Sequence, residues 1–319
     1  MRSASSFVVA VSSVLVTVIA CSGSDSPRTT SSRAVSKESF EAASVVCDRL
    51  EACTSPAIMR LVYGGTARCK ERQALQIELD GLAKGYRATE AEAKACKDAM
   101  SAASCADVFS GVPPEPCRLP GEFADGAPCT GDGQCASLAC YVADDAICGT
   151  CGRRVPEGAD CSAAKCELGL DCNRAKKCVK LGAEGAPCGG PSDPECEILL
   201  HCGEGKCVRG IPKGERCQLH DGAIPCDSFK GLVCVPTTGD DGTCEEYAIV
   251  GVGEACRVVS IAPPRFAFCE NSDCVRDKCV PRIPDGEICV STELGGIACQ
   301  QPAHCREGKC VLRDPSKCQ

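Results

Sequence analysis

The spacing of cysteines constrains this chain more than any other feature. From Cys129 to Cys318 a short unit recurs six times, and that stretch holds 26 of the 33 cysteines. Each unit opens on a small turn ending in cysteine: GAPC at 126–129, GADC at 158–161, GAPC at 185–188, GERC at 214–217, GEAC at 253–256 and GEIC at 286–289. Three further cysteines follow each turn, giving the quartets 129/135/140/148, 161/166/172/178, 188/196/202/207, 217/226/234/244, 256/269/274/279 and 289/299/305/310. First cysteines lie 32, 27, 29, 39 and 33 residues apart, a period that marks an array of small supersecondary units.

Such units lack the side chains for an ordinary core. Aromatics make up 3% of the chain, tryptophan is absent, and 33 of 319 residues are cysteine, the composition of a disulfide scaffold. Between Cys161 and Pro187 the apolar side chains other than cysteine and alanine are Leu168, Leu170, Val179 and Leu181. Burying those four does not offset the entropy of ordering the whole segment, so cross-links must shrink the unfolded ensemble instead. Disulfides persist in an oxidising compartment, which places the chain outside the cytoplasm. A formal net charge of −8 argues against nucleic acid as a partner.

The amino terminus reads as an export signal over residues 1–20. Arg2 precedes an apolar run from Phe7 to Ala20 that is too short to span a bilayer. The run ends in Val18-Ile19-Ala20-Cys21, and here the chain resembles a bacterial lipoprotein, whose lipobox has an aliphatic residue at −3, a small one at −1 and a cysteine that becomes the lipid-modified terminus. Cysteine parity agrees: with Cys21 acylated, 32 cysteines remain, enough for 16 disulfides without an orphan thiol. The resemblance implies an exported protein anchored by its N-terminal lipid, and Ser22 after the cysteine implies sorting to the outer membrane. Residues 21–36 read as a flexible tether.

Residues 37–111 change character and predict a small all-α segment pinned by its own cysteines. Phe40, Ala43, Cys47, Leu50 and Thr54 recur at helical spacing after Ser36, a plausible N-cap. Ser55-Pro56 starts a second helix reaching Tyr63, Gly64-Gly65 breaks it, and Thr66 is placed to cap a third through Leu79. Thr89 with Glu92 forms a capping-box pattern for a fourth helix to about Ala103. Cys47 and Cys53 point to nearly opposite faces of one helix and should not bond to each other. The five cysteines 47, 53, 69, 96 and 105 are odd in number, so Cys117 or a unit cysteine completes the set. A proline-rich linker at 112–119 then leads to the array at 120–319.

Within the array, Cys202-Gly-Glu-Gly-Lys-Cys207 and Cys305-Arg-Glu-Gly-Lys-Cys310 read as tight hairpins turning at Glu-Gly. Lys177, Lys206, Lys278 and Lys309 each precede a fourth cysteine and a valine follows it; the valines should pack inward and the lysines stay in water. The longest loop between first and second cysteines is Arg257–Phe268. Val258, Ile261, Arg265, Phe266 and Phe268 give it unusual apolar content, and it is the candidate binding loop.

Cys166-Glu-Leu-Gly-Leu-Asp-Cys172, echoed by Gly231-Leu232-Val233-Cys234, resembles the Dickkopf N-terminal cysteine-rich repeat and the Gly-Leu-x-Cys element of insulin-like growth factor binding proteins. The whole layout resembles a group of myxobacterial-type lipoproteins with such repeats behind a helical segment. The resemblance implies bonding of first to third and second to fourth cysteine: Cys161–Cys172 with Cys166–Cys178, Cys188–Cys202 with Cys196–Cys207, Cys217–Cys234 with Cys226–Cys244, Cys256–Cys274 with Cys269–Cys279, and Cys289–Cys305 with Cys299–Cys310. Units five and six lack Gly-Leu, and Cys151 and Cys318 fall outside the quartets, so their pairing stays open, as does that of Cys148 and of the helical cysteines.

Catalytic patterns are absent from the sequence. Cys148-Gly-Thr-Cys151 has thioredoxin-like spacing but no βαβ context, and reads as part of the disulfide frame. His201, His220 and His304 lie in separate units, which argues against a metal, and no cofactor motif occurs. The reading is a non-catalytic, lipid-anchored envelope protein that acts as a structural or binding surface toward an unidentified protein or glycan. The alternatives are a protease inhibitor using the 257–268 loop and an exported thiol oxidoreductase using Cys148 and Cys151.

Overall fold

A computed structural model describes residues 35–81, 83–110, 112–143, 146, 148–261, 264–290 and 297–318. The export signal, Cys21 and all but the end of the tether lie outside these residues. Five helices come first: α1 (Lys37–Cys53), α2 (Pro56–Tyr63), α3 (Thr66–Asp80), α4 (Glu90–Ala102) and α5 (Cys105–Ser110). Short strands, most in antiparallel pairs, follow from residue 128 onward.

Local chemistry explains the helix ends. Ser36 Oγ accepts from Ser39 N–H at the start of α1, and Ser55 Oγ does the same for Ile58 at the start of α2, where Pro56 occupies the first turn. Gly64 ends α2 in the left-handed region at φ 83°. Thr89 and Glu92 form the reciprocal capping box of α4. The expectation for α3 is corrected: Gly65 is its N-cap, no side chain caps it, and Thr66 is already helical. The sequence reading had no α5, yet Ser104 and Asp107 exchange hydrogen bonds as a second capping box at its start.

Three disulfides tie this segment together: Cys47–Cys69 joins α1 to α3, Cys53–Cys105 joins α1 to α5, and Cys96–Cys117 ties α4 to the proline-rich stretch. Cys117 is thus the sixth cysteine that the odd count required. The main apolar cluster holds Leu50, Ile58, Met59, Val62, Tyr63 and Phe109, and its outer wall is supplied by Ile198, Leu199 and Tyr247 of the array. The helices therefore finish their core on the repeats.

Each unit is built on the same frame. The third and fourth cysteines sit directly opposite each other on antiparallel strands, at 172/178, 202/207, 234/244, 274/279 and 305/310. They do not bond across the strands. The third reaches back to the first and the fourth to the second, as Cys161–Cys172 with Cys166–Cys178, and likewise in the four units that follow. The hairpin turns at Glu204-Gly205 and Glu307-Gly308 have both central residues at positive φ, the type I′ geometry that suits the strand twist.

In the first unit the quartet is corrected. The cysteine opposite Cys140 is Cys151, and the bonds are Cys129–Cys140 and Cys135–Cys151. Cys148 lies just before the strand Gly149–Cys151 and bonds instead to Cys318. The reason is backbone pairing: that strand is the central one of three, so Cys151 alone faces the unit's interior.

The turn glycine shows why the unit opens as it does. In all six units its N–H donates to the fourth cysteine's carbonyl at 2.7–2.8 Å, and the fourth cysteine's N–H returns to the residue after the glycine. Gly126, Gly158, Gly185, Gly214, Gly253 and Gly286 all have φ between 81° and 90°. An L side chain is strained there even where space is free, as it is around Gly158. Gly158→Ala is expected to lower stability by about 1–2 kcal/mol, measured by denaturant unfolding. An unchanged midpoint would contradict the role given to the turn.

Two further regularities recur. Three residues before the turn glycine, Phe123, Val155, Ile211, Val250 and Ile283 pair in parallel with the second cysteine and pack on the unit's sulfurs. In the third unit this place is Gly182, where a Cβ would come within 2.9 Å of Cys207 Sγ. One residue before the glycine, a charge pairs with the residue two after the fourth cysteine: Asp125 with Arg153, Glu157 with Lys180, Glu184 with Arg209, and with signs exchanged Lys213 with Glu246. The four lysines before the fourth cysteines are exposed and the valines after them half-buried.

Candidate functional site

The units run around the helices, each touching the next. Asp132 of the first unit accepts from Arg154 and Lys165 at the second. Asn173 Nδ2 donates to Ser192 O and Glu204 N to Gly222 O at the next two junctions, Tyr247 stacks on Phe268 between the fourth and fifth units, and Ala298 N donates to Asp273 Oδ2 at the last. The helices are gripped at intervals from within. Glu122 N–H donates to Gly85 O, and Gln134 Nε2 to Lys84 O, below the first unit. Phe229 of the fourth unit stacks obliquely on Phe109, with centroids 5.8 Å apart. Arg60 pairs with Glu270, and Arg282 Nη1 donates to Val62 O at 2.6 Å.

The tightest grip is on the sixth unit. Arg72 of α3 is 5% exposed and makes a two-pronged contact with Asp285 at 2.6 and 2.7 Å. It also donates to the carbonyls of Gln300 and Gln301. Asp285 stands at the position that pairs within units one to four. Here its internal partner position is Leu312, so its charge is left for the helix. Sequence reasoning missed this residue, although the broken charge pattern was a readable signal.

Beyond the sixth unit, the terminal strap closes the circuit. Gln76 of α3 exchanges hydrogen bonds with the backbone of Arg313. The Arg313 guanidinium grips the Asp80 carboxylate at 3.0 and 3.2 Å, and Cys318 bonds to Cys148 of the first unit across 170 residues. Tyr86 Oη is buried beside this pair without a hydrogen-bond partner. Burial pushes the Asp80 carboxyl up to about 6, against the pull of Arg313 and Gln76. An unfolded aspartate titrates near about 3.9, so the folded state holds this proton more tightly. Its contribution therefore favours folding below pH 4 and is lost as pH rises through about 6. Melting temperatures at pH 5 and pH 7 should differ less in Asp80→Asn than in the parent. Equal differences would contradict the shift.

No catalytic constellation is assembled among the described residues. Within the units, sets of three sulfurs such as Cys161, Cys166 and Cys178 lie within 4.8 Å of one another, but all belong to disulfides and offer no thiolate to a metal. Cys148 and Cys151 are bonded to different partners, so they do not form a C-x-x-C couple. His201 is half-buried beside Phe229 and its pKa is lowered by burial; burial lowers His304 as well, and His220 bonds within its own loop.

The candidate binding loop is a hairpin of strands Arg257–Ile261 and Pro264–Cys269, whose second strand also pairs in parallel with Ala248–Val250. Phe268 is half-buried and stacks obliquely on Tyr247, with ring centroids 4.5 Å apart, and Tyr247 in turn packs against the helical core. Phe266 is half-buried. The side chains of Val258, Ile261 and Arg265 lie outside the described residues. Among the described residues no helix is long and apolar enough to cross a membrane.

No family model, curated protein or solved structure matches the chain. What the fold itself defines is a disulfide-stabilised protein of an oxidising, extracytoplasmic compartment, with a cysteine-framed array held on a helical segment.

Proposed function

We propose that this is a non-catalytic, lipid-anchored protein of a bacterial envelope, of the cysteine-rich lipoprotein kind with Dickkopf-like repeats, and that its ring of units serves as a rigid structural or binding surface. One observation supports this above the others. Sixteen disulfides take up every cysteine from Cys47 to Cys318, which leaves Cys21 of the lipobox as the one cysteine outside them. A C-x-x-C thiol oxidoreductase pairs its two cysteines with each other, whereas here Cys148 bonds to Cys318 and Cys151 to Cys135. The partner is a protein or glycan of the envelope or its surroundings.

The test is expression of the full chain in a host with lipoprotein processing. The mature protein should fractionate with membranes, carry acyl mass at Cys21 and give no free thiol after denaturation. Cys21→Ser should release it to the soluble fraction. Two or more free thiols, or a Cys21→Ser variant that stays with the membrane, would overturn the reading.

A further inference from the structure

We propose that Cys148–Cys318 is a reducible clasp: a dithiol opens it before any other bridge, freeing the strap after Arg313 from the first unit while all six units stay folded. Connectivity is the first reason. The two disulfides of a unit close loops of 10 to 18 residues and brace each other. When one opens, the other keeps both thiols at hand, and the local loop closes again at high effective concentration. Cys148–Cys318 closes a loop of 170 residues with no second bridge at its side.

Surroundings are the second reason. Cys148 is exposed, and among the described residues neither it nor Cys318 belongs to an apolar cluster. Cys172 and Cys202 are exposed too, but each lies in a unit braced by a second disulfide, Cys166–Cys178 with both ends buried and Cys196–Cys207 with Cys207 buried. Opening the clasp removes no core contact from any unit.

The exchange runs in two steps. A dithiol's thiolate attacks Cys148 Sγ, because Cys318 is buried, and Cys318 leaves as thiolate and takes a proton. The dithiol's second thiolate then displaces Cys148, so the dithiol ends as a cyclic disulfide and two protein thiols have formed. The strap is still held at Arg313 by Asp80 and Gln76, while unit one loses its covalent tie to unit six. The closed ring becomes an open arc on the same helices.

Limiting dithiothreitol with pulsed alkylation and peptide mapping tests this on the full chain. Cys148 and Cys318 should label together, about tenfold sooner than any other cysteine, with the far-ultraviolet circular dichroism unchanged. The double variant Cys148→Ser, Cys318→Ser should fold, with faster amide exchange confined to residues 314–318 and the adjoining face of unit one. Earlier or simultaneous labelling of Cys172 or Cys202, or a double variant that fails to fold, would overturn the proposal.

Discussion

Replacing Cys166 and Cys178 together with alanine is expected to unfold the second unit within an otherwise folded protein. The bridge closes a loop of 12 residues. Its loss should cost about 3 kcal/mol on the loop-entropy account. Packing is lost as well, since Cys161, Cys166 and Cys178, with Val155 and Leu170 against them, are all this unit has for a core. The remaining bond, Cys161–Cys172, ties the turn to one strand and leaves Lys165–Cys166 free of the other. Hydrogen exchange should show residues 155–181 losing protection while α1 and α3 keep theirs. Parental protection across the second unit would contradict the claim that sulfur bridges substitute for an apolar interior.

The second large effect is expected at Arg72. Arg72→Met keeps much of the side-chain volume but removes four hydrogen bonds, two to Asp285 and two to the carbonyls of Gln300 and Gln301. Arg72 is buried but Asp285 is partly exposed, so the cost falls below the buried-pair range, at about 2 kcal/mol. Arg72→Lys should fall in between, because an ammonium keeps the charge but cannot make the two-pronged contact. The loss should appear as faster exchange in the sixth unit, from Ile283 to Val311, with Cys289–Cys305 and Cys299–Cys310 intact. Exchange unchanged from the parent would mean that the unit does not depend on the helix beneath it.

These two variants separate what the sequence disclosed from what it did not. The unit itself was legible because its determinants are local: a turn glycine, four cysteines and a short hairpin within about 30 residues. Ser36, Pro56 and the Thr89–Glu92 box were legible for the same reason, since a cap is chemistry between neighbours. Two local signals were present and unread. The apolar residue three before five of the six turn glycines marks where a unit begins, six residues ahead of its first cysteine. The Asp125–Arg153 pair, matched by its counterparts in three later units, identifies Cys151 rather than Cys148 as the first unit's fourth cysteine.

The ring was not legible, because its contacts join residues far apart in the chain. Arg72 with Asp285, Asp80 with Arg313 and Cys148 with Cys318 are separated by 213, 233 and 170 positions, and no local pattern names the partner, although the broken charge pattern marks Asp285 itself. Within Arg257–Phe268 the one inward contact was hidden for the same reason: Phe268 stacks on Tyr247, and Tyr247 packs against a helical core some 200 residues earlier.

Disulfide mapping of the unreduced protein tests the central claim most directly. Proteolysis at acidic pH, to prevent exchange, followed by mass spectrometry should recover Cys135 linked to Cys151 and Cys148 linked to Cys318, beside first-to-third and second-to-fourth bridges in the five later units. Cys135 linked to Cys148, Cys151 linked to Cys318, or free thiols within the quartets would contradict it.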